Sequence, residues 1–364
     1  MVNLLKNIFR RNKSEKTVQD SLREKILIIY VGTSACIMGA YFQDFCRKFC
    51  RCVLHSIAIA SDSDDFKYIA SNLDTILKLI ANGGVGRQYD IGYDRTHNRR
   101  HEIREILQDL TTTEVWDLKL AIVFAYSGGG TGSGATVKLL ELLAERNIPT
   151  LLMLKIPRYN PSQHYYSPQV GIHNTIRMLE RIDELYKKNP EWKFNVNFTS
   201  DVSKPTRFEV DEDMAYNAST FMLIPLVPGQ DLINVSNAIL NRSFAYKSTI
   251  VHCSVKLSTI QETINALEDQ LYNSFNMLSS LEGIEYSIKD VACYGPIIGP
   301  EDVVEQSRIV IENAVRTSIA RKYGNIEDLD LELWPSYIED YDSLELSLLL
   351  KGVDIQYPEI IWRE

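Results

Sequence analysis

The chain has 364 residues, 45% apolar and 24% charged, the balance of a folded globular protein rather than a disordered one. Its 39 Lys and Arg against 48 Asp and Glu leave a net charge of −9. This argues against a whole-chain nucleic-acid binder, which needs a net basic field, and leaves room only for a local basic patch. The length fits about two domains, and no apolar run reaches the ~20 residues of a membrane-spanning helix.

Residues 1–24 stand apart. Leu4, Leu5, Ile8 and Phe9 form one helical stripe flanked by Lys6, Arg10, Arg11 and Lys13. Such a basic amphipathic helix, within residues 1–16, suits either an anionic membrane surface or packing on the body of the protein. From Lys25 the pattern alternates. Ile26–Val31 reads as a buried parallel strand ending at Gly32, followed by a helical stretch and a second strand over 54–60. Phe66, Ile69, Leu73, Ile76 and Leu77 recur at helical spacing and predict a helix over 64–80. A glycine loop at 82–87 and a charged helix over 95–110 follow.

Residues 118–125 read as a strand running into a second glycine loop, with a helix over 136–146 and a strand over 150–156 that Pro157 stops. This alternation predicts an α/β fold, a parallel sheet with helices on both faces. A helix over about 211–226 comes next, then a change of order after residue ~245. Strands near 250–257, 290–298, 329–334 and 344–352, with helices over 258–280 and 300–323, predict a second, α+β domain. Cys36, Cys46, Cys50 and Cys52 cluster, but not with the spacing of common zinc modules, so all six cysteines read as free thiols of a reducing cytoplasm and no metal site is assigned to them.

The most informative segment is Ser127-Gly128-Gly129-Gly130-Thr131-Gly132-Ser133-Gly134. Five glycines in seven residues between a strand and a helix expose backbone N–H groups at a helix start, the arrangement that holds phosphate oxygens. No Lys-Ser or Lys-Thr follows, so it is not a P-loop. Gly130-x-Gly132-x-x-Ala135 fits a permissive dinucleotide fingerprint but lacks an acidic residue about 20 positions on. A dinucleotide-dependent oxidoreductase is therefore a remote alternative.

Gly-Gly-Gly-Thr-Gly-Ser-Gly resembles the phosphate-loop signature of the tubulin/FtsZ/TubZ superfamily, and other segments fall in the same order. Gly32-Thr33-Ser34 looks like the first nucleotide loop, and residues 60–66, with Asp62 and Asp64, are similar to the second. Gly84-Val85-Gly86-Arg87 resembles the third loop, near the terminal phosphate, and Pro157-Arg158 the ribose-side loop. Tyr216 and Asn217 match the helix that meets the guanine base, where an Asn amide suits a purine edge. The resemblance implies GTP or GDP as ligand, with Mg as an accompanying ion. It divides the chain into the extension 1–24, a GTP-binding domain over 25–210, a central helix over 211–228 and a C-terminal part over 229–364.

Members of this superfamily hydrolyse GTP when one subunit inserts an acidic loop into its neighbour's pocket. Leu232-Ile233-Asn234-Val235 is similar to the start of the FtsZ form of that loop, but Ser236 and Ile239 stand at its two acidic positions. Neither can supply the charge that orients water against a phosphate, and Asp231 is the nearest carboxylate. Asp231 and Asn234 are thus the candidate catalytic residues, and the resemblance implies a cytoplasmic GTP-binding protein with slow hydrolysis and head-to-tail self-assembly. Nucleic acid would be reached only through an adaptor. A non-polymerising guanine-nucleotide switch is the alternative.

Overall fold

A computed structural model describes residues 26–46, 55–69, 75–81, 83–112, 118, 120–157, 168–200, 206–223, 239–240, 246–279, 285–324, 329–337 and 341–356. The N-terminal stripe, Cys50, Cys52, Arg158, Asp231, Asn234 and Ser236 lie outside them. The chain divides into two compact units between Tyr216 and Asn217.

In the first unit β1 (Ile26–Val31) is 0% exposed at every residue. Successive side chains of a strand point to opposite faces, so both faces of the sheet are covered there. Helix α1 (Thr33–Phe45) leads to β2 (Ser56–Ala60) and β3 (Thr75–Leu79). Helices α2 (Tyr89–Asn98) and α3 (Arg100–Thr112) precede β4 (Leu120–Tyr126). Then come α4 (Thr136–Ala144), β5 (Thr150–Ile156), α5 (Pro168–Lys188) and β6 (Phe194–Ser200). The strands pair in the order β3-β2-β1-β4-β5-β6, all parallel. After β1 the chain builds outward to β2 and β3, then returns to add β4 on the other side. That reversal opens a crevice at the carboxyl ends of β1 and β4, where open α/β sheets take their ligands.

Helix α6 (Arg207–Leu223) carries the chain into the second unit. There follow β7 (Lys247–Lys256), α7 (Ile260–Ser279), β8 (Glu285–Gly299), α8 (Glu301–Tyr323), β9 (Asp330–Tyr337) and β10 (Ser343–Gln356). β10 lies antiparallel to both β7 and β8, and β8 is parallel to β9. This mixed sheet with α7 against α8 and β7 is the expected α+β arrangement.

The helix expected over 64–80 is not formed. Ser63–Tyr68 is a single 3-10 turn, capped by the Asp62 carboxylate, which accepts from the Asp64 N–H at 3.0 Å. Thr75–Leu79 is instead a strand on the sheet edge, its Thr75 hydroxyl 2.7 Å from that of Ser56. Pairing with β2 overrides the helical spacing of Ile76 and Leu77. The single helix expected over 95–110 is two helices, broken at Arg99, and the first begins at Tyr89. Helix α5 and β6 have no counterpart in the sequence reading. Among the described residues no group of His, Cys, Asp or Glu could hold a metal, and no helix is long and apolar enough to cross a membrane. Cys36, Cys46, Cys253 and Cys293 are free and buried, and burial pushes the Cys36 thiol up to about 12, which leaves it inert.

Within the second unit Lys351 is fully buried beside a bulge at Gly352, and its ammonium donates to the Ile239 carbonyl at 2.9 Å. Burial lowers its pKa from 10.5 to about 8. The unfolded chain therefore binds the extra proton between about pH 8 and 10.5, and the charge penalty of the folded state fades as pH rises through that window. Lys351→Met should stabilise the protein at pH 7 by up to about 3 kcal/mol, with the advantage shrinking above pH 8. Denaturant unfolding of both proteins from pH 6 to about 10 checks this.

Candidate functional site

At the crevice beyond β1 and β4 the first unit forms a cleft of about 420 Å³. Four segments line it: residues 31–34 after β1, Ser61, Asp62 and Asp65 after β2, residues 84–87 before α2, and Tyr126 with residues 128–132 after β4. Of the residues singled out from sequence, the fold brings together Gly32, Thr33, Ser34, Asp62, Gly86, Arg87, Gly128, Gly129, Gly130, Thr131 and Gly132.

Each wall has a physical cause. Gly32 has φ +83°, a left-handed conformation that favours glycine, and its N–H donates to Ile59 at 2.8 Å. The turn starts α1, where Thr33 donates to the Asp65 carboxylate at 2.6 Å. Ser61 and Thr131 hydroxyls lie 2.7 Å apart and join the second loop to the glycine loop. Among the described residues the buried Ser34 hydroxyl has no hydrogen-bond partner. Burial, with the charges of Asp62 and Asp64, pushes the Asp65 carboxyl above the usual carboxylate range despite the Thr33 hydrogen bond.

The glycine loop itself enters a π-turn over Thr131–Ala135, which was not expected, before α4 begins. Its glycines answer to packing as well as to any ligand. A Cβ on Gly130 would lie 2.6 Å from the Gln88 nitrogen, one on Gly132 2.2 Å from the Tyr126 carbonyl, and one on Gly134 2.1 Å from the Tyr89 carbonyl. Gly92 of α2 meets the Gly130 carbonyl at 2.2 Å in the same sense. Only at Gly129 is there room, the nearest atom being Tyr126 Cδ1 at 3.9 Å.

Asn174 of α5 was missed by sequence reasoning, and no local signal marks it. Its amide donates to the Arg87 carbonyl at 2.8 Å and, more weakly, to Gly128 at 3.5 Å, so one side chain spans two walls. Arg87 is held at φ +63°, unusual for a non-glycine residue and a form of strain that concentrates at functional sites. Thr175 lies 2.7 Å from the Ser127 hydroxyl behind the loop. Below it, Lys155 of β5 and Asp211 of α6 form an ion pair with no exposure of either side chain, and the Lys155 ammonium sits 5.2 Å from the Tyr126 ring centroid.

Several expected site residues do not line the cleft. Ser133 turns its hydroxyl back to the Gly129 carbonyl at 2.5 Å, and Gly134 serves the backbone crossing with α2. Asp64 is in the 3-10 turn, and Pro157 is buried after β5. Tyr216 is buried edge-on against Phe45 at 5.5 Å, and Asn217 is buried on α6. Ile239 is 0% exposed, so this position offers a packed apolar side chain where an acid was sought.

A parallel sheet covered by helices, with a glycine-rich, helix-starting loop at its switch point, defines an open α/β protein. The particular fold is that of the tubulin/FtsZ superfamily. Over 91% of its length the chain matches a GTPγS-bound protofilament structure of CetZ2 from Haloferax volcanii, covering 93% of that chain at a TM-score of 0.64 and 18% identity. For a GTPγS-form protofilament of TubZ from Bacillus thuringiensis serovar israelensis the TM-score is 0.66 at 14% identity, covering 93% and 90% of the two chains. For an FtsZ dimer from M. jannaschii it is 0.61 at 16%, covering 94% and 92%. In sequence the chain is 27% identical over 195 residues to the cell division protein FtsZ of Helicobacter pylori, 52% of this chain and 47% of that protein. It thus matches about half the length of these curated relatives. No protein-family model matches.

Gly92→Ala or Gly134→Ala should destabilise the protein by about 2 kcal/mol through overpacking, whereas Gly129→Ala leaves stability unchanged. Thermal denaturation of the three variants beside the unsubstituted chain checks this. The same contrast makes Gly129, rather than Gly130 or Gly132, the position at which a ligand contact can be probed without disturbing the fold.

Proposed function

We propose that the chain is a guanine-nucleotide-binding protein of cytoskeletal type, with phosphates held by Gly128–Gly132 and the first and third loops, and subunits stacked head to tail. The observation that carries this reading is Ser34, whose buried hydroxyl has no partner among the described residues, on the wall of a cleft whose other side is a glycine loop opening a helix. A buried hydroxyl left unpaired costs about 1–3 kcal/mol, and a phosphate oxygen would satisfy it. The cleft volume of about 420 Å³ is in the range of small-molecule sites. That CetZ2 and TubZ form protofilaments in GTPγS-bound or GTPγS-form structures supports stacking through the nucleotide.

Asp62 and Asp65 offer hard oxygen ligands on the cleft wall; burial first, and then the charges of Asp62 and Asp64, raise the Asp65 carboxyl, and a cation there would offset the charge part. Two carboxylates do not make a cage by themselves, but they suit Mg, which takes one or two carboxylates together with nucleotide phosphates. When bound, the ion would supply charge neutralisation at the phosphates.

Hydrolysis is proposed to be slow. Ile239 is buried in its own unit and Lys351 holds its carbonyl, so this position cannot be presented as an acid to a neighbour. Asp231 is the remaining carboxylate of the segment. Ile239→Asp would bury a charge in the core and is not a clean graft, which leaves Ser236→Asp as the informative gain. We expect guanine nucleotide to copurify with the chain and light scattering to rise with GTP or GTPγS but not GDP. Phosphate release should be slow and raised by Ser236→Asp. Absence of guanine-nucleotide binding would overturn the reading, and rapid turnover abolished by Asp231→Ala would overturn its hydrolytic part. The basic stripe within residues 1–16 is proposed to bring filaments to anionic membranes, each weak contact being multiplied along the polymer. Equal co-sedimentation with anionic liposomes of the full chain and a chain starting at Ser21 would refute that role.

A further inference from the structure

The cleft wall at residues 84–87 is a turn ill suited to one of its own residues. The Gln88 N–H donates to the Val85 carbonyl at 3.0 Å, and both residues between them have positive φ, Gly86 at +59° and Arg87 at +63°. That pair of angles is the signature of a type I′ turn, which favours glycine, asparagine or aspartate at its centre. An arginine there is strained, and such strain persists only where the surroundings hold it.

Helix α5 supplies the hold. The Asn174 amide donates to the Arg87 carbonyl at 2.8 Å, and Asn174 is only 3% exposed. Almost one helical turn further on, Arg177 forks onto the Asp90 carboxylate at 2.8 and 2.6 Å and sits 4.6 Å over the Tyr89 ring. Residues three apart share a helix face, so both grips come from one side of α5. Arg177 fixes the start of α2, and Asn174 fixes the turn before it. Asn is a weak helix former, so its place within α5 is unfavourable unless the amide is used. The turn so held packs directly on the glycine loop: a Cβ on Gly130 would meet the Gln88 nitrogen at 2.6 Å and the Arg87 carbonyl carbon at 2.8 Å.

We propose that Asn174 is a positioning residue of the nucleotide site, keeping the Val85–Gln88 turn in the conformation that sets this wall against the glycine loop. This rests on the reading of the cleft as a guanine-nucleotide site. Asn174 acts through the backbone of the turn and not through contact with the ligand. Without its hydrogen bond the turn leaves its strained form, and nucleotide binds only the fraction of molecules in which the turn is made.

The test uses Asn174→Ala and Asn174→Asp in the full chain at pH 8. GDP and GTPγS binding is measured by calorimetry, and amide hydrogen exchange is resolved at single residues. The net strength of one hydrogen bond predicts affinity for both nucleotides weakened about five- to tenfold. The Gln88 amide should lose its protection in the nucleotide-free variants and regain it with saturating GDP, while the amides of α5 keep theirs. Asn174→Asp preserves the side-chain volume but sets an acceptor against the Arg87 carbonyl, so it should bind no better than Asn174→Ala. Unchanged affinity in Asn174→Ala, binding by Asn174→Asp equal to that of the unsubstituted chain, or faster exchange along α5 itself would overturn the assignment. So would failure of both variants to fold, since the residue would then be holding the helix and not the turn. If the unsubstituted chain binds neither GDP nor GTPγS, the nucleotide reading fails instead, and that result is visible before any variant is made.

Discussion

Backbone packed directly on backbone is the constraint from which the cleft is built. Gly130 and Gly134 bring the loop after β4 against the Arg87–Tyr89 segment, and Gly92 completes the crossing from the side of α2. A single methyl group at any of these points would push the two segments apart, and the cleft would lose the register between the wall at residues 84–87 and the glycine loop. Close approach also turns main-chain groups into the lining, since no side chains stand in front of them. The result is a surface of fixed amide dipoles, which answers an anion without reorganisation.

The buried charges work on the same platform from beneath. Lys155 and Asp211 are both sealed from solvent, and such a pair is costly to break because the survivor is left uncompensated. Their position under Tyr126 therefore does more for geometry than for stability. The pair fixes where the end of β4 lies relative to the start of α6, and so where the loop begins.

Much of this was legible in the residues. The apolar runs of β1, β4 and β5 announce buried parallel strands because both of their faces are covered, and the glycine loop announces itself by composition. Thr75–Leu79 was misread because its apolar residues continue the helical spacing of Phe66 and Ile69, and only pairing with Ser56–Ala60 decides between the two periods. Asn174 was not visible for another reason. An Asn within a helix carries no local signature, and its role exists only once α5 and the loop are brought together. The glycines themselves were half understood: five of them suggest a ligand, yet Gly130, Gly132 and Gly134 are each required by a neighbour's backbone alone.

Asn174 gives α5 a hold on both sides of the cleft, since one carboxamide reaches the Arg87 carbonyl and the Gly128 carbonyl. The two walls accordingly share one hydrogen-bonding side chain, held firmly on the Arg87 side and loosely on the Gly128 side. Any displacement of α5 changes the width and the tilt of the cleft in one motion.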